Sequence, residues 1–217
     1  MNKIMIVFLV LIIVISGCVS QRETKNASGT TTSSPLTPTF EYEKDGKTYT
    51  TNLFDDLRPA TEWIKDNLPK NSVVVAWWDY GHMIRGFGKA EAIVFTPSKE
   101  ILDTVALTPI DKFDTEKSGQ LSNHEDIKNV AFILTTTNPQ EAITVMRQYN
   151  SKYVLVTSSE YGKAYVLYEM TGVPTEIVDG FALNKNSILY KMLKSEPING
   201  FEIGYSDSFA VVYKIKS

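Results

Sequence analysis

The chain has 217 residues and a formal net charge of −3, with 22 basic against 25 acidic side chains. So mild an acidity gives no reason to expect nucleic acid as a partner, because proteins that bind nucleic acid carry a basic patch or a marked basic excess. The sequence has a single cysteine, Cys18, which excludes an internal disulfide.

Residues 1–20 are predicted to be an export signal. Lys3 gives a short basic start, and residues 4–15 form an unbroken apolar run that is too short to span a bilayer. The run leads into Ser16-Gly17-Cys18, which resembles a lipoprotein processing box, in which small residues precede a cysteine that becomes lipidated. An uncleaved short anchor with an incidental cysteine is the alternative. Either form predicts a protein tethered at the extracytoplasmic face of the cell membrane.

Residues 21–39 are predicted to be a tether, because they are rich in Ser and Thr and have almost no large apolar side chain to bury. The segment contains Asn26-Ala27-Ser28, the only N-glycosylation sequon of the sequence, so Asn26 is a candidate glycosylation site. The composition becomes globular after the tether, which predicts one domain over residues 40–217.

The first elements of this domain lead up to one buried strand. A small hairpin is predicted over Tyr42 to Thr51, with Asp45-Gly46 at its centre. An amphipathic helix is predicted from Asp55 to Leu68, because apolar residues recur at helical spacing and Pro69 stops the helix. Val73-Val74-Val75-Ala76 is then a continuous apolar run, which is typical of a strand covered on both faces.

Aromatic and polar residues follow that strand at once, in the order Trp77, Trp78, Asp79, Tyr80 and Gly81. Adjacent side chains of a strand point to opposite faces, and each indole N–H needs a hydrogen-bond partner when buried. Such a cluster at the end of an apolar strand is typical of a ligand pocket at the carboxyl edge of an α/β sheet. The alternative is structural, namely a Trp pair that plugs the end of the sheet, with Asp79 capping a turn.

The pentapeptide at 77–81 resembles the WWDYG signature of the archaeal-type catalytic subunit of oligosaccharyltransferase, the membrane enzyme that N-glycosylates Asn-X-Ser/Thr sequons. In that family the motif lies in a soluble C-terminal domain, where Trp, Trp and Asp form a pocket that hydrogen-bonds the sequon hydroxyl. The resemblance implies that Trp77, Trp78 and Asp79 form a peptide-binding pocket, with Tyr80 and Gly81 completing the motif.

The stretch after Gly81 is harder to assign. A helix is predicted over residues 101–107, and residues 108–129 are polar and are predicted to be loop. His124 lies beside Glu125 and Asp126 in this polar stretch. One histidine with two carboxylates can bind a metal ion, but a solvated helix start is the preferred interpretation.

Alternating elements then predict an α/β arrangement. Val130 to Leu134 is predicted to be a strand, a helix begins at Pro139, and Lys152 to Val156 is predicted to be a further strand. Strand, helix and strand in this order imply parallel pairing. The carboxyl end of the last strand then lies at the same edge of the sheet as the Trp77–Asp79 cluster.

A second motif follows that last strand. In the family, a short helix after this strand carries an Asp, a Lys three residues later and a Met or Ile four residues after the Lys, and it closes the sequon pocket. Glu160, Lys163 and Leu167 have this spacing in the present chain, with Glu in place of Asp. The resemblance implies that these three residues complete the peptide-binding site. The alternative is a solvated ion pair between Glu160 and Lys163, worth about 0.2–0.5 kcal/mol.

The chain is predicted to end with a helix from Lys185 to Leu193 and a hairpin formed by residues 200–205 and 209–215. The predicted fold class is α/β, with a mixed, partly parallel sheet flanked by helices and a C-terminal β-hairpin in a single globular domain.

The resemblance covers residues 56–216, the soluble module alone. Family members carry their catalysis in a bundle of membrane helices whose loops bind Mg²⁺ or Mn²⁺. We therefore expect no catalytic residue, metal site or cofactor in this chain, and Mg²⁺ or Mn²⁺ only if it joins a complete oligosaccharyltransferase. The predicted function is that of a membrane-anchored, catalytically incomplete relative, not an enzyme by itself, that recognises Ser/Thr-containing peptide or assists protein N-glycosylation.

Three alternatives remain open at this point. The chain could be a detached subunit that completes an oligosaccharyltransferase in trans, together with a multi-spanning membrane protein. It could be a solute-binding lipoprotein, which is a common form of acylated, tethered chain. It could also be a cell-surface protein whose pocket has lost its ligand.

Overall fold

The computed structural model describes residues 39–44, 47–94 and 124–216. The chain divides into two units, Met1–Asp56 and Leu57–Ser217. In the first unit, strands β1 (Thr39–Lys44) and β2 (Lys47–Asn52) pair antiparallel with Lys44 opposite Lys47, which confirms the predicted hairpin. The helix predicted over residues 101–107 lies outside the described residues.

Helix α1 (Leu53–Asn67) and strand β3 (Val73–Val75) confirm the predicted elements that precede the aromatic cluster. The helix has Asp55 and Asp56 in its first turn, where carboxylates favour the helix dipole. Its apolar positions, spaced three or four residues apart, are fully buried, as are the last two residues of β3; they are Leu57, Ala60, Ile64, Val74 and Val75.

Among the residues that the structure describes, the central sheet has five strands, β3, β4 (Glu91–Ala92), β5 (Ser151–Thr157), β8 (Phe201–Ser206) and β9 (Ala210–Ile215), in the order β4-β3-β5-β9-β8. Strand β3 pairs parallel with both β4 and β5, whereas β9 pairs antiparallel with both β5 and β8. The mixed, partly parallel sheet and the C-terminal β8–β9 hairpin are therefore confirmed. The ends of β3 and β5 lie at the same edge because these two strands are parallel.

The described helices that follow α1 are α2 (Gly81–Gly86), α3 (Glu125–Thr135), α4 (Pro139–Gln148), α5 (Glu160–Thr171) and α6 (Ile188–Leu193). Helix α3 contacts α4, α5 and α6, and both α4 and α6 contact β5. Asn138 caps α4 by accepting from the Gln140 N–H, with Pro139 in the first turn, and Ser187 caps α6 by accepting from the Tyr190 N–H. Helix α6 consequently begins later than predicted.

The strand predicted over Val130 to Leu134 is wrong, because these residues belong to helix α3. The run of five apolar residues fits a buried strand and a buried helix equally well, and in the structure α3 is surrounded by three other helices. Its buried side chains follow helical spacing; they are Ile127, Val130, Ala131, Ile133 and Leu134. The helix start predicted at His124 is confirmed, since His124 is the N-cap of α3.

A short hairpin between α5 and α6 has no counterpart among the predicted elements. Strands β6 (Glu176–Val178) and β7 (Phe181–Leu183) pair antiparallel across Asp179 and Gly180. Both turn residues have positive φ, 52° and 87°, as two-residue hairpin turns require. The Asp-Gly dipeptide is the sequence signal for this turn.

No helix among the described residues has both the length and the apolar character needed to cross a membrane.

Candidate functional site

The chain turns sharply where β3 ends. Trp77 is still extended, with φ −62° and ψ 148°, and Trp78–Tyr80 then form one 3-10 turn that runs into α2 at Gly81. As a result the rings of Trp77 and Trp78 stack, with centroids 4.3 Å apart and planes inclined by 24°. The expectation that they point to opposite faces is wrong, because β3 ends at Val75 and a 3-10 turn begins at Trp78. Both rings are largely buried, with 4% and 7% exposed.

Tyr80 links the ends of the two parallel strands. Its side chain is fully buried, and its hydroxyl lies 2.8 Å from Oγ1 of Thr157, the last residue of β5. The two residues are 77 positions apart in sequence. Their contact follows from the parallel pairing of β3 and β5, which brings both carboxyl ends to one edge.

Glu160 faces the interior at the start of α5, with only 1% of its surface exposed. Its Oε2 accepts hydrogen bonds from the Thr157 N–H at 2.6 Å and from the Thr157 hydroxyl at 2.9 Å. The Ser159 N–H in turn donates to Oγ1 of Thr157 at 3.1 Å. This reciprocal pattern has the hydrogen bonds of a capping box, for which Thr-x-x-Glu is the sequence signal, and it forms in the turn just before α5, whose N-cap residue is Ser159. The alternative of a solvated Glu160–Lys163 surface pair is therefore wrong.

Lys163, one turn further along α5, reaches the aromatic cluster instead. Its Nζ lies 2.5 Å from Oδ2 of Asp79 and donates to the Tyr80 hydroxyl at 3.1 Å. The same nitrogen sits 4.8 Å from the centroid of the Tyr80 ring. The side chains of Asp79 and Lys163 are 27% and 26% exposed, so this ion pair lies where the buried network meets solvent.

The hydrogen bonds of the network have one direction. Oε2 of Glu160 accepts two of them, so Thr157 donates its single hydroxyl proton to Glu160. Thr157 must then accept from Tyr80, and Tyr80 must accept from the Lys163 ammonium, which can only donate. Lys163 therefore donates to Tyr80, Tyr80 donates to Thr157, and Thr157 donates to Glu160, which is the final acceptor.

Burial and neighbouring charges shift the pKa values of Tyr80, Glu160 and Lys163. Burial raises the pKa of Tyr80 far above its ordinary value, with the Glu160 carboxylate adding to the effect, so the phenol stays neutral. Burial also raises the pKa of Glu160, while the Lys163 charge and the hydroxyls of Tyr80 and Thr157 act against that rise. For Lys163, burial alone would lower the pKa, but Tyr80 and the carboxylates of Asp79 and Glu160 outweigh it and raise the pKa. Lys163 is therefore a cation at neutral pH.

Two carboxylate oxygens of this network have no hydrogen-bond partner among the described residues. Within the described part of the chain, Oδ1 of Asp79 has no hydrogen-bond or ion-pair partner, and its side chain is partly exposed. Oε1 of Glu160 is buried and likewise without a hydrogen-bond partner among the described residues. The Asp79 oxygen is accessible to a ligand, whereas the Glu160 oxygen is not. The exposed part of the site can thus accept one hydrogen bond from a neutral donor.

Two of the predicted site residues lie behind this surface. Leu167 has no exposed surface and is a core residue of α5. Gly81 is buried and has helical φ of −55°, so it starts α2 and needs no special conformation. Thr157, which is not among the predicted site residues, is the link between Tyr80 and Glu160.

Among the described residues, no group of three or more His, Cys, Asp or Glu side chains is placed to hold a metal ion. The absence of a metal site from the whole chain stays a prediction.

The five-stranded mixed sheet flanked by helices has the fold of the C-terminal globular domain of oligosaccharyltransferase. The corresponding domain named AfAglB-S2, from Archaeoglobus fulgidus, superposes with a TM-score of 0.52. It is 17% identical in sequence, and the match covers 74% of this chain and 97% of that domain. The resemblance predicted from WWDYG is confirmed in the fold.

Curated relatives support the same family through a short stretch of sequence. The dolichyl-diphosphooligosaccharide–protein glycosyltransferase subunit STT3B of Oryza sativa subsp. japonica is 40% identical over 42 residues, and the STT3 subunit of Saccharomyces cerevisiae is 43% identical over 42 residues. Each match covers 19% of this chain and 6% of the relative. No family model matches the sequence. The stretch shared with these glycosyltransferase subunits is short, and this chain spans only a small part of their length.

Proposed function

We propose that this protein binds a Ser or Thr side chain of a peptide at Asp79 and so assists protein N-glycosylation as a membrane-anchored, catalytically incomplete relative of oligosaccharyltransferase. The observation that carries the proposal is the open oxygen Oδ1 of Asp79 at a partly exposed site. A carboxylate oxygen accepts a hydrogen bond from a hydroxyl, and such charge-assisted bonds are stronger than neutral ones.

The charges around Asp79 favour a neutral donor. Lys163 already neutralises the Asp79 carboxylate through Oδ2, so a second cation gains little attraction there and is repelled by the ammonium. An anionic side chain would meet the Asp79 carboxylate directly. A hydroxyl brings no charge and needs only the one open acceptor. Ser and Thr are therefore the side chains that suit the site.

The affinity of an isolated peptide should be low. A hydrogen bond to a charged group contributes about 1.5–3 kcal/mol and a neutral one about 0.5–1.5 kcal/mol. A short flexible peptide also loses conformational freedom on binding, so a dissociation constant in the millimolar range, about −4 kcal/mol, is expected.

The test is an NMR titration of the purified domain with Asn-Ala-Thr and Asn-Ala-Val peptides. Thr and Val have the same shape and differ in one hydroxyl, so a hydroxyl site predicts shifts around Trp77, Trp78 and Asp79 with the first peptide alone. Asn-Ala-Ala should behave like Asn-Ala-Val. Equal shifts with all three peptides, or no shifts with Asn-Ala-Thr, would refute hydroxyl recognition.

The membrane anchor belongs to this proposal. Lipidation at Cys18 followed by the tether over residues 21–39 would hold the domain at the extracytoplasmic face of the membrane, where exported peptides pass. The domain would then recognise peptide chains as they emerge.

A second candidate function is that of a detached subunit acting in trans. It is favoured because the match covers 97% of the AfAglB-S2 domain. A chain that has the fold of nearly the whole domain can occupy the same place in a complex. Co-purification of a multi-spanning membrane protein with the tagged chain would support this function, together with metal-dependent glycan transfer by the pair. A solute-binding lipoprotein, in contrast, would bind small solutes at this site and ignore peptides.

A further inference from the structure

We propose that Tyr80 is a positioning residue, which fixes Lys163 through its buried hydroxyl and thereby decides which oxygen of Asp79 a ligand can use. The inference rests on the proposed hydroxyl recognition and extends it to the selectivity of the same site. Tyr80 is fully buried, so it cannot touch a ligand itself.

Tyr80 limits the freedom of the Lys163 side chain. A lysine side chain has a flexible four-carbon stem and a point charge, so one ion pair at a partly exposed site does not define its position. In this site Nζ is held at three points: Oδ2 of Asp79 at 2.5 Å, the Tyr80 hydroxyl at 3.1 Å, and the Tyr80 ring at 4.8 Å from the centroid. Two of these three contacts are made by Tyr80.

The Tyr80 hydroxyl has a defined direction. A phenol that donated its proton towards Lys163 would repel the ammonium. The capping box prevents this, because the Thr157 hydroxyl donates its hydrogen bond to Glu160. Oγ1 of Thr157 can then only accept a hydrogen bond from the Tyr80 hydroxyl. The lone pair of Tyr80 is therefore turned towards Lys163. The buried carboxylate of Glu160 thus sets the polarity of the whole chain of hydrogen bonds.

The position of Lys163 determines what Asp79 offers to a ligand. With Lys163 fixed on Oδ2, Asp79 offers Oδ1 alone and has its charge compensated. The site is then suited to a single neutral hydroxyl donor. If Lys163 is released, both oxygens and the full negative charge of Asp79 become available, and a cationic side chain such as Lys or Arg is attracted. The expected role of Tyr80 is therefore selectivity for Ser/Thr over cationic side chains.

The experiment compares two buried tyrosines, Tyr80 at the end of the 3-10 turn and Tyr168 in α5. In Tyr80→Phe the hydroxyl between Lys163 and Thr157 is lost, and in Tyr168→Phe the hydroxyl that lies 2.6 Å from Oγ of Ser187 is lost. Both phenols are buried, so both variants should lose a similar amount of thermal stability. The ¹H–¹⁵N signal of the Lys163 ammonium, assigned by its absence in Lys163→Met, reports whether Nζ is held or exchanges freely with water.

In the wild-type protein and in Tyr168→Phe we expect a slowly exchanging Lys163 ammonium and preference for Asn-Ala-Thr over Asn-Ala-Lys. In Tyr80→Phe the ammonium should exchange as fast as that of an exposed lysine. The affinity for Asn-Ala-Thr should fall about fivefold, the equivalent of one hydrogen bond, while that for Asn-Ala-Lys rises.

A second pair of variants tests the chain of hydrogen bonds from Lys163 to Glu160. Thr157→Val removes the hydroxyl at nearly constant shape and should reproduce the Tyr80→Phe changes, whereas Thr157→Ser keeps the hydroxyl and should restore the wild-type ammonium signal. The inference is overturned if folded Tyr80→Phe has the same Lys163 ammonium exchange rate as the wild-type protein and the same preference for Asn-Ala-Thr over Asn-Ala-Lys. If the wild-type protein binds no hydroxyl peptide, the proposed function fails, and the ammonium exchange still decides whether Tyr80 fixes Lys163.

Discussion

The ammonium of Lys163 lies 2.5 Å from Oδ2 of Asp79, and the two residues come from segments at the ends of two neighbouring parallel strands. Glu160 is closer to Lys163 in sequence, but its carboxylate is turned inward to cap the start of α5. The ion pair therefore joins the WWDYG segment to the helix that follows β5. It gives the exposed part of the site a compensated charge and one open acceptor.

The Asp79→Ala variant tests whether Asp79 acts in binding or in packing. Because the Asp79–Lys163 pair is partly exposed, we expect the free energy of unfolding to change by about 1 kcal/mol or less. Binding of Asn-Ala-Thr should fall below detection in an NMR titration, since the acceptor is lost. Val74→Asp is the control for unfolding, because it places an unpaired charge at a fully buried position. A sharply lower melting temperature of Asp79→Ala with unchanged peptide shifts would assign the cluster to packing.

Two glycines of α5 should respond oppositely to alanine. A Cβ meets nothing within 4 Å at either Gly162 or Gly172, but Gly172, the C-cap, has φ of +67° whereas Gly162 lies inside the helix. We expect Gly162→Ala to stabilise the protein by about 0.5–1 kcal/mol and Gly172→Ala to destabilise it by about 1 kcal/mol. Urea unfolding of the two variants measures both changes. A shift of the same sign in both would contradict these backbone conformations.

Glu160 should make the stability depend on pH in an unusual direction. Burial raises the pKa of this carboxyl in the folded protein above its ordinary value of 4.5, so the folded state binds the proton more tightly than the unfolded state. The free energy of unfolding therefore decreases as the pH rises from about that value through the raised pKa.

The Glu160→Gln variant isolates this contribution. The glutamine keeps an oxygen that can accept from Thr157 and has no carboxyl proton to lose. Relative to this variant, the wild-type protein should lose stability as the pH rises through the interval just above 4.5. Urea unfolding at a series of pH values gives the difference. A difference that stays constant with pH, or that grows in favour of the wild type, would show that Glu160 does not titrate as described.

Lipidation at Cys18 is tested by mass spectrometry of protein extracted from membranes. We expect a chain whose N-terminus is Cys18 carrying a lipid, because the apolar run of residues 4–15 is short and leads into that cysteine. A Cys18→Ser variant should stay unmodified and retain the signal. An intact Met1 together with an unmodified Cys18 in the wild-type protein would contradict the prediction.

Local patterns in the sequence were sufficient for much of the fold. The spacing of Leu57, Ala60 and Ile64 predicts α1, and the Asn138-Pro139 pair predicts the start of α4, because helix periodicity and capping depend on neighbours in sequence. WWDYG predicts the family. The Thr-x-x-Glu pattern at 157–160 also contains the capping box that turns Glu160 inward, although the spacing of Glu160 and Lys163 alone suggests an outward carboxylate.

The tertiary structure decided the rest. Val130–Leu134 is a helix because its buried surface is covered by other helices, and its five apolar residues do not distinguish that environment from a sheet. The stack of Trp77 on Trp78 depends on where β3 ends, which is set by pairing with β4 and β5. Lys163 pairs with Asp79 because parallel strands bring two distant segments to one edge, and a contact of that kind leaves no pattern in local sequence.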